Sequence, residues 1–313
     1  MNFKEAFMNV IGIEQVTYGV EDLARCRQFW IDWGLKLLSE SDEGSEFETL
    51  NGSKVVVRSI DDPSLPPAME PGPTLREAYW GVDNQASLDE IEQRIQSLPS
   101  FIKGEDYIGG TDPNGFAFRF RVTAKRETGE VGQEFNTWSR TGRVNASSRV
   151  YERAQPMEIG HIVHFTDRIA EMEKFYHTSF GFEASDRYPG RGLFMRSNIV
   201  GGHHDMFLLQ VEGKGPGLNH VAFSVRDIHE VFGGGLNVSR CGWETDIGPG
   251  RHPISSAYFW YFRNPNGGMV EYYSDEDHLN EDWVPREYEP TPENFAEWAI
   301  SGGLDGKTRR QKR

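Results

Sequence analysis

The sequence predicts an α+β fold of two tandem modules, each of paired βαβββ units curled around a central cavity. Three observations carry this expectation: a long internal repeat, short aromatic strands alternating with amphipathic helices, and a similar Pro-Asn-Gly turn near the end of each copy. Placed one above the other, "EQVTYGVEDLARCRQFWIDWGLKLLSES" and "GHIVHFTDRIAEMEKFYHTSFGFEASD" share a strand, a helix, an aromatic pair and a glycine before the next strand. Gln15 falls on His161, each fourteen residues before its aromatic pair, Phe29-Trp30 or Phe175-Tyr176. Later, "TLREAYWGVD" parallels "GLNHVAFSVRD", and "DPNGFAFRF" parallels "NPNGGMVEY".

The elements follow in chain order. In "SLDEIEQRIQSL", Ser87 and Glu90 have capping-box spacing, and Leu88, Ile91, Ile95 and Leu98 form an apolar stripe. The strand "HIVHF" leads into a helix expected to start at an Asp167 N-cap, with Ile169, Met172, Phe175 and Tyr176 on one face. The strands "HDMFLLQV" and "NHVAFSV" precede a helix capped by Asp227, and "AYFWYF" and "MVEYY" close the copy. A helix with three strands cannot cover its own sheet, so the modules are expected to pair. The boundaries read as a first module over 1–124, a polar linker over 125–155, a second module over 156–290 and a tail over 291–313.

Charge and composition narrow the function. A net charge of -15 disfavours nucleic acid and anionic membranes, leaving small molecules as the expected partners. Two cysteines are too few for a disulfide framework or a Cys-based zinc site, which suits a reduced cytoplasm. No signal-like segment or run of 18 apolar residues is seen. The basic "KTRRQKR" at the end reads as a solvated tail.

His161 and His220 open two strands and Glu271 sits within a third, 59 and then 51 residues apart. Alternation places His161 with Val163, His220 with Ala222, and Glu271 with Met269 and Tyr273 on the concave face of a curled sheet. Two imidazoles and a carboxylate are the donor set that holds non-haem Fe(II) or Mn(II) with open positions. His203 and His204 stand side by side, so only one can face the cavity. His252 lies nine residues before Tyr261, itself ten before Glu271. So many titratable groups at one locus are costly to bury unless a metal, a substrate or one another satisfies them.

The stretch "GRHPISSAYFWYFRNPNGGMVEYY" resembles the signature of the type I extradiol ring-cleaving dioxygenases of the vicinal oxygen chelate (glyoxalase, bleomycin resistance and dioxygenase) superfamily. His252, Tyr261, Asn264, Pro265, Gly267 and Glu271 satisfy the pattern, and Trp260 departs from it, where that family prefers an aliphatic residue or Phe. The resemblance implies that His161, His220 and Glu271 bind the metal, that His204 is the acid-base histidine, and that His252 and Tyr261 contact substrate oxygen and activated oxygen. It implies a vicinal oxygen chelate fold and a cytoplasmic homo-oligomer. The implied enzyme, dependent on Fe(II) or Mn(II), adds both atoms of O2 to a catechol-type diol beside the hydroxyls and gives a muconic-semialdehyde-type product. His203, Phe194, Trp243 and Phe259 are candidate substrate contacts, with core packing the competing role for the aromatics.

At the ligand-equivalent positions the first module has Gln15, Glu77 and Arg119, so a filling ion pair is expected there and no metal. Three other readings stay open: a 2-oxoacid-dependent dioxygenase, a glyoxalase-like isomerase, and a non-enzymatic small-molecule binding protein. The last would be marked by lost metal ligands, and all three are present.

Overall fold

The computed structural model describes residues 9–301; the basic tail over 307–313 lies outside them. The first module runs β1 (Val10–Val20), α1 (Leu23–Trp33), β2 (Lys36–Glu40), β3 (Gly44–Glu48), β4 (Lys54–Ser59), then β5 (Thr74–Val82), α2 (Gln85–Ile95), β6 (Ile102–Lys103), β7 (Ile108–Thr111) and β8 (Ala117–Val122). These strands form one eight-stranded sheet in the order β2-β3-β4-β1-β5-β8-β7-β6. Its two βαβββ units meet at the antiparallel β1–β5 pair, and each outer unit adds a parallel strand, β4 or β8.

The second module repeats the plan. It runs β9 (Glu158–Phe165), α3 (Ile169–Phe180), β10 (Glu183–Tyr188), β11 (Gly192–Arg196), β12 (Gly201–Gly202), β13 (Met206–Leu209), then β14 (Gly217–Ser224), α4 (Ile228–Arg240), β15 (Ile247–Arg251), β16 (Tyr258–Arg263) and β17 (Met269–Ser274). Beyond it come β18 (His278–Leu279), β19 (Arg286–Glu287), α5 (Pro292–Phe295) and β20 (Trp298–Ser301). The larger sheet has the order β19-β10-β11-β13-β9-β14-β17-β16-β15-β20. Part of the stretch expected as a tail therefore joins it, β20 pairing with β15.

Helix starts follow local chemistry, with two departures from expectation. Asp22 caps α1 and Asp227 caps α4, the latter accepting from the amides of His229 and Glu230 at 2.9 and 3.2 Å. α2 begins three residues early because Asn84, not Ser87, is its cap; Ser87 donates its hydroxyl to Asp83 instead. α3 has Arg168 at its cap, and Asp167 is spent on the Arg168 side chain.

One hydrophobic core spans both modules, so each sheet is covered from the other copy as well as its own. Trp33 of α1 stacks on Tyr272 of β17 at 3.6 Å, and the Tyr272 hydroxyl donates to the Trp33 carbonyl. The first module's Asp-Pro-Asn-Gly turn is embedded against the second: Tyr176 donates to Asp112 at 3.0 Å and Thr166 to Asn114 at 3.0 Å. The unusual Trp260 is accommodated by Gly235 in α4, where an added Cβ would lie 2.1 Å from the indole. This helix tolerates three consecutive glycines, Gly233 to Gly235, because they let the linker and Trp260 approach its backbone.

Burial pushes the Asp112 carboxyl up to about 7 against the hydrogen bonds it accepts. A carboxyl raised in the folded state stays protonated there while the unfolded chain ionises, so stability is lost as pH rises from about 4 to about 7 and is level above. Asp112→Asn is expected to keep the acceptor and remove this dependence. Urea denaturation should show the variant gaining on the wild type by at least about 1 kcal/mol between pH 4 and pH 8, and equal pH profiles would contradict it.

Candidate active site

The strands β9, β14 and β17 are neighbours at the centre of the larger sheet, and their register aligns the three residues singled out above. His161 pairs with Ala222, which pairs with Glu271, while His220 pairs with Val163 and Met269. The two Nε2 atoms of His161 and His220 are 3.3 Å apart, and Glu271 Oε2 lies 3.1 and 3.2 Å from them. Ligand atoms about 2.1 Å from one ion lie about 3 Å apart at right angles and about 3.4 Å apart in a tetrahedron. The observed triangle falls between these, so the three side chains fit a single divalent ion bound through one face.

Their electrostatics agree. Burial, with His204 nearby, pushes His161 down to about 3, and burial also lowers His220, so both imidazoles are neutral and offer lone pairs. Burial raises Glu271, but the His161, His220 and His252 rings packed around it outweigh this and hold it well below the usual carboxylate range. A buried carboxylate among neutral imidazoles lacks a counter-charge, which a divalent cation would supply.

Asn219 fixes one ligand's tautomer. The β9–β14 register shifts between Leu218 and His220, leaving Asn219 as the extra residue of a bulge. Its side chain turns into the cavity, and its Oδ1 sits 2.6 Å from His220 Nδ1. That nitrogen therefore carries the proton and Nε2 the lone pair.

His204 lines the same cavity, its ring 4.1 Å from that of His161. His203 does not; it is fully buried behind, correcting the expectation of substrate contact. His203 Nε2 lies 3.0 Å from Asp186 Oδ2, and its Nδ1 is 3.2 Å from His204 Nδ1. Asp186 accepts only, since its hydrogen bonds with His203 and Arg286 hold it below its ordinary value despite burial. The proton assignment then propagates. His203 is protonated at Nε2 and accepts at Nδ1, so His204 donates from Nδ1 and keeps the lone pair of Nε2 free. Glu276 Oε1 also approaches His204 Nδ1, at 3.1 Å.

His252 Nδ1 donates to the Phe295 carbonyl at 2.6 Å, leaving Nε2 to accept from the Tyr261 hydroxyl at 3.1 Å. Tyr261 stands opposite Glu271 across β16 and β17. Burial and the Glu271 charge push the phenol well above its ordinary value, so it stays protonated. Phe259 stacks on His252 at 4.0 Å and backs it instead of facing the cavity. Phe194 is a cavity wall. Trp243 is not: its ring packs on Phe29 at 5.0 Å and its Nε1 donates to Asp32 at 2.9 Å, a contact between α1 and the end of α4.

The cavity, about 710 Å³, is roofed by residues 290–295, which sequence reasoning had assigned partly to a tail. Tyr188 ties this roof down by donating to the Asn294 carbonyl at 2.8 Å. In the first module the register sets Gln15 beside Tyr79 and Tyr79 beside Arg119, with Glu77 facing Thr17. Gln15, Glu77 and Arg119 thus occupy the ligand-equivalent places, and Arg119 and Glu77 pair at 3.4 Å.

Residues 158–272 match the family model described as Glyoxalase/Bleomycin resistance protein/Dioxygenase superfamily. Metapyrocatechase 2 of Cupriavidus necator is 30% identical over 128 residues, a match covering 41% of this chain and 39% of that protein. Among solved structures, the Mn(II)-bound glyoxalase from Novosphingobium aromaticivorans superposes with a TM-score of 0.74 at 23% identity, over 94% of this chain and 93% of that one. The 2,3-dioxygenase LapB from Pseudomonas sp. KL28 gives 0.71 at 18%, over 91% and 99%. A substrate complex of homoprotocatechuate 2,3-dioxygenase from Brevibacterium fuscum, with 3,4-dihydroxyphenylacetate, gives 0.69 at 19%, over 93% and 89%. The two-module fold is shared with these proteins.

Proposed function

We propose that this chain is a metal-dependent extradiol dioxygenase, which adds both atoms of O2 to a catechol-type ring beside its two hydroxyls and yields a muconic-semialdehyde-type product. The observation that carries the reading is the convergence on one cavity of a His161, His220 and Glu271 triangle with His204, His252 and Tyr261. A relative that shares sequence with part of the chain is a metapyrocatechase. The metal we assign is Fe(II), with Mn(II) served by the same donors. When bound, such an ion supplies Lewis acidity that lowers a diol's hydroxyl pKa and one-electron exchange that lets an organic ring react with O2.

The chain's own residues do the rest. His204, with its Nε2 lone pair free, takes a proton from the diol and returns it to the leaving oxygen as the ring opens. Tyr261, a phenol at neutral pH, turns its one hydroxyl proton from His252 Nε2 toward developing oxygen charge. The roof over 290–295 and the apolar walls exclude water, so proton transfer is confined to these groups. The first module supplies half of the common core and fills its own corresponding site with the Glu77–Arg119 pair.

We take the protein to act as a homo-oligomer in the cytoplasm. Two free thiols, Cys26 and Cys241, suit a reducing compartment, and the linker leaves Trp138, Val144 and Val150 exposed, apolar groups that a second copy would cover. Among the described residues no helix is long and apolar enough to cross a membrane.

The reading is tested by anaerobic loading with Fe(II), addition of a panel of catechols and then air, following oxygen uptake and a yellow ring-fission product. Metal uptake without oxygen consumption by any diol would overturn it. Asn219→Ala should leave the fold intact and lower metal affinity by about 10- to 100-fold, the usual cost of losing a residue that orients a ligating histidine. Competition with a chromogenic chelator measures this, and unchanged affinity would remove Asn219 from the site.

A further inference from the structure

We infer that the diol accepted here carries a bulky, uncharged apolar substituent about the size of a second aromatic ring; this rests on the reading that the diol docks at His161, His220 and Glu271. The cavity measures about 710 Å³ with its roof in place. An apolar cavity of about 150 Å³ is enough for one benzene ring. A bare catechol would leave most of the space to water held against apolar walls, which is unfavourable.

The lining beyond the six polar residues says what should fill it. Val163 and Met269 stand two residues along their strands from His161 and Glu271, so the floor turns apolar one step away from the proposed ligands. The wall that rises from this floor is aromatic. Phe194 and Phe207 lie flat on one another, with centroids 4.0 Å apart and an interplanar angle of 9°, and Tyr188 tilts against Phe194 at 5.8 Å. Gly192 makes that arrangement feasible, since a Cβ there would come within 2.6 Å of the Phe207 ring. Phe295 closes the cavity from the roof. A flat aromatic wall facing an apolar floor is a slot for a ring or a branched alkyl group.

Charge argues against an acidic substituent. The acidic side chains lining the cavity are Glu271, Glu276 and Asp246, of which Asp246 is paired with Arg263 at 3.2 Å. Among the described residues, the one lining cation other than histidine is Arg191, which is solvent-exposed in the tight turn between β10 and β11. A carboxylate placed deeper than Arg191 would meet apolar groups and like charge.

The test compares catechol, 3-phenylcatechol and 3,4-dihydroxyphenylacetate as substrates of the Fe(II)-loaded full chain, and titrates each into the metal-free protein by calorimetry. Phenylcatechol should exceed catechol in kcat/KM by at least about tenfold and bind the metal-free protein at least about tenfold more tightly, the gain expected from burying several carbon atoms. Leu209 lines the cavity two residues along β13 from Phe207, so Leu209→Trp narrows the slot and should cut the phenylcatechol-to-catechol ratio of kcat/KM by about tenfold or more. Catechol turned over as well as or better than phenylcatechol would overturn the inference, as would a ratio that Leu209→Trp leaves unchanged. A preference for 3,4-dihydroxyphenylacetate would overturn it in favour of Arg191 as an anion contact. If no diol consumes oxygen, the dioxygenase reading fails. The calorimetry still decides the pocket question: tighter phenylcatechol binding supports the apolar slot, and equal or absent binding refutes it.

Discussion

Glu271→Gln is expected to abolish turnover and leave a protein that folds normally and no longer retains its metal, with metal affinity reduced about 1,000-fold or more. The side chain is the one carboxylate of the triangle, it is 1% exposed, and its Oε2 is within 3.1–3.2 Å of both imidazoles. Loss of an outer residue that merely orients a ligand costs about 10- to 100-fold in affinity, and loss of the charged ligand itself should cost more. The fold should survive because the substitution removes a buried charge while keeping shape and an acceptor; buried charges contribute little net stability. Thermal melts separate the two effects. The wild type should melt higher when Fe(II) is added anaerobically, as any protein does whose ligand binds only the native state. The variant should melt at or above the temperature of the metal-free wild type and not respond to Fe(II). Retained turnover, or an undiminished response to metal, would refute the ligand assignment.

His204→Ala is expected to lower kcat by about 10²- to 10⁴-fold, the range for loss of a positioned proton-transfer group, with metal content and substrate affinity nearly unchanged. His204 reaches neither Glu271 nor His220 by a hydrogen bond, but its ring overlies His161 at 4.1 Å. Its Nδ1 is engaged by His203 at 3.2 Å, so the Nε2 lone pair is the group lost. Added imidazole should restore part of the rate by occupying the vacated space. Stopped-flow absorbance under single-turnover conditions would place the loss in ring opening. A variant with wild-type kcat would end the proton-transfer role. One that loses metal would make His204 a ligand, as its grouping with His161 and Glu276 would allow.

Much of this site was legible in the sequence because strand alternation is a strong constraint. His161, His220 and Glu271 sit on three neighbouring strands, with the concave face carrying Val163 and Met269 as the two-residue period requires. The repeat was equally readable, and the register sets Gln15, Glu77 and Arg119 in the equivalent places of the first module. What was missed breaks a period or acts at long range. Asn219 is the extra residue of a bulge, and plain alternation from His220 would put its side chain on the opposite face. Asp186 reaches His203 across 17 positions, and Arg286 reaches Asp186 across 100, with no local pattern to announce either. The roof over 290–295 is polar and rich in proline, which reads as a tail; its place is set by β20 pairing with β15 and by the Tyr188 hydrogen bond. Trp243 was misplaced because an amphipathic side chain with one polar atom suits an interface between helices as well as a substrate pocket.

The most direct test of the proposed chemistry is the fate of molecular oxygen. The Fe(II)-loaded protein would be given a catechol it consumes under ¹⁸O₂, and the ring-opened product analysed by rapid mass spectrometry before carbonyl exchange. Extradiol cleavage requires both labelled atoms in each product molecule, one oxygen molecule consumed per diol, and rupture of the ring beside the hydroxyls. Incorporation of one atom or none, or product formation that proceeds equally well without oxygen as in an isomerase, would contradict it.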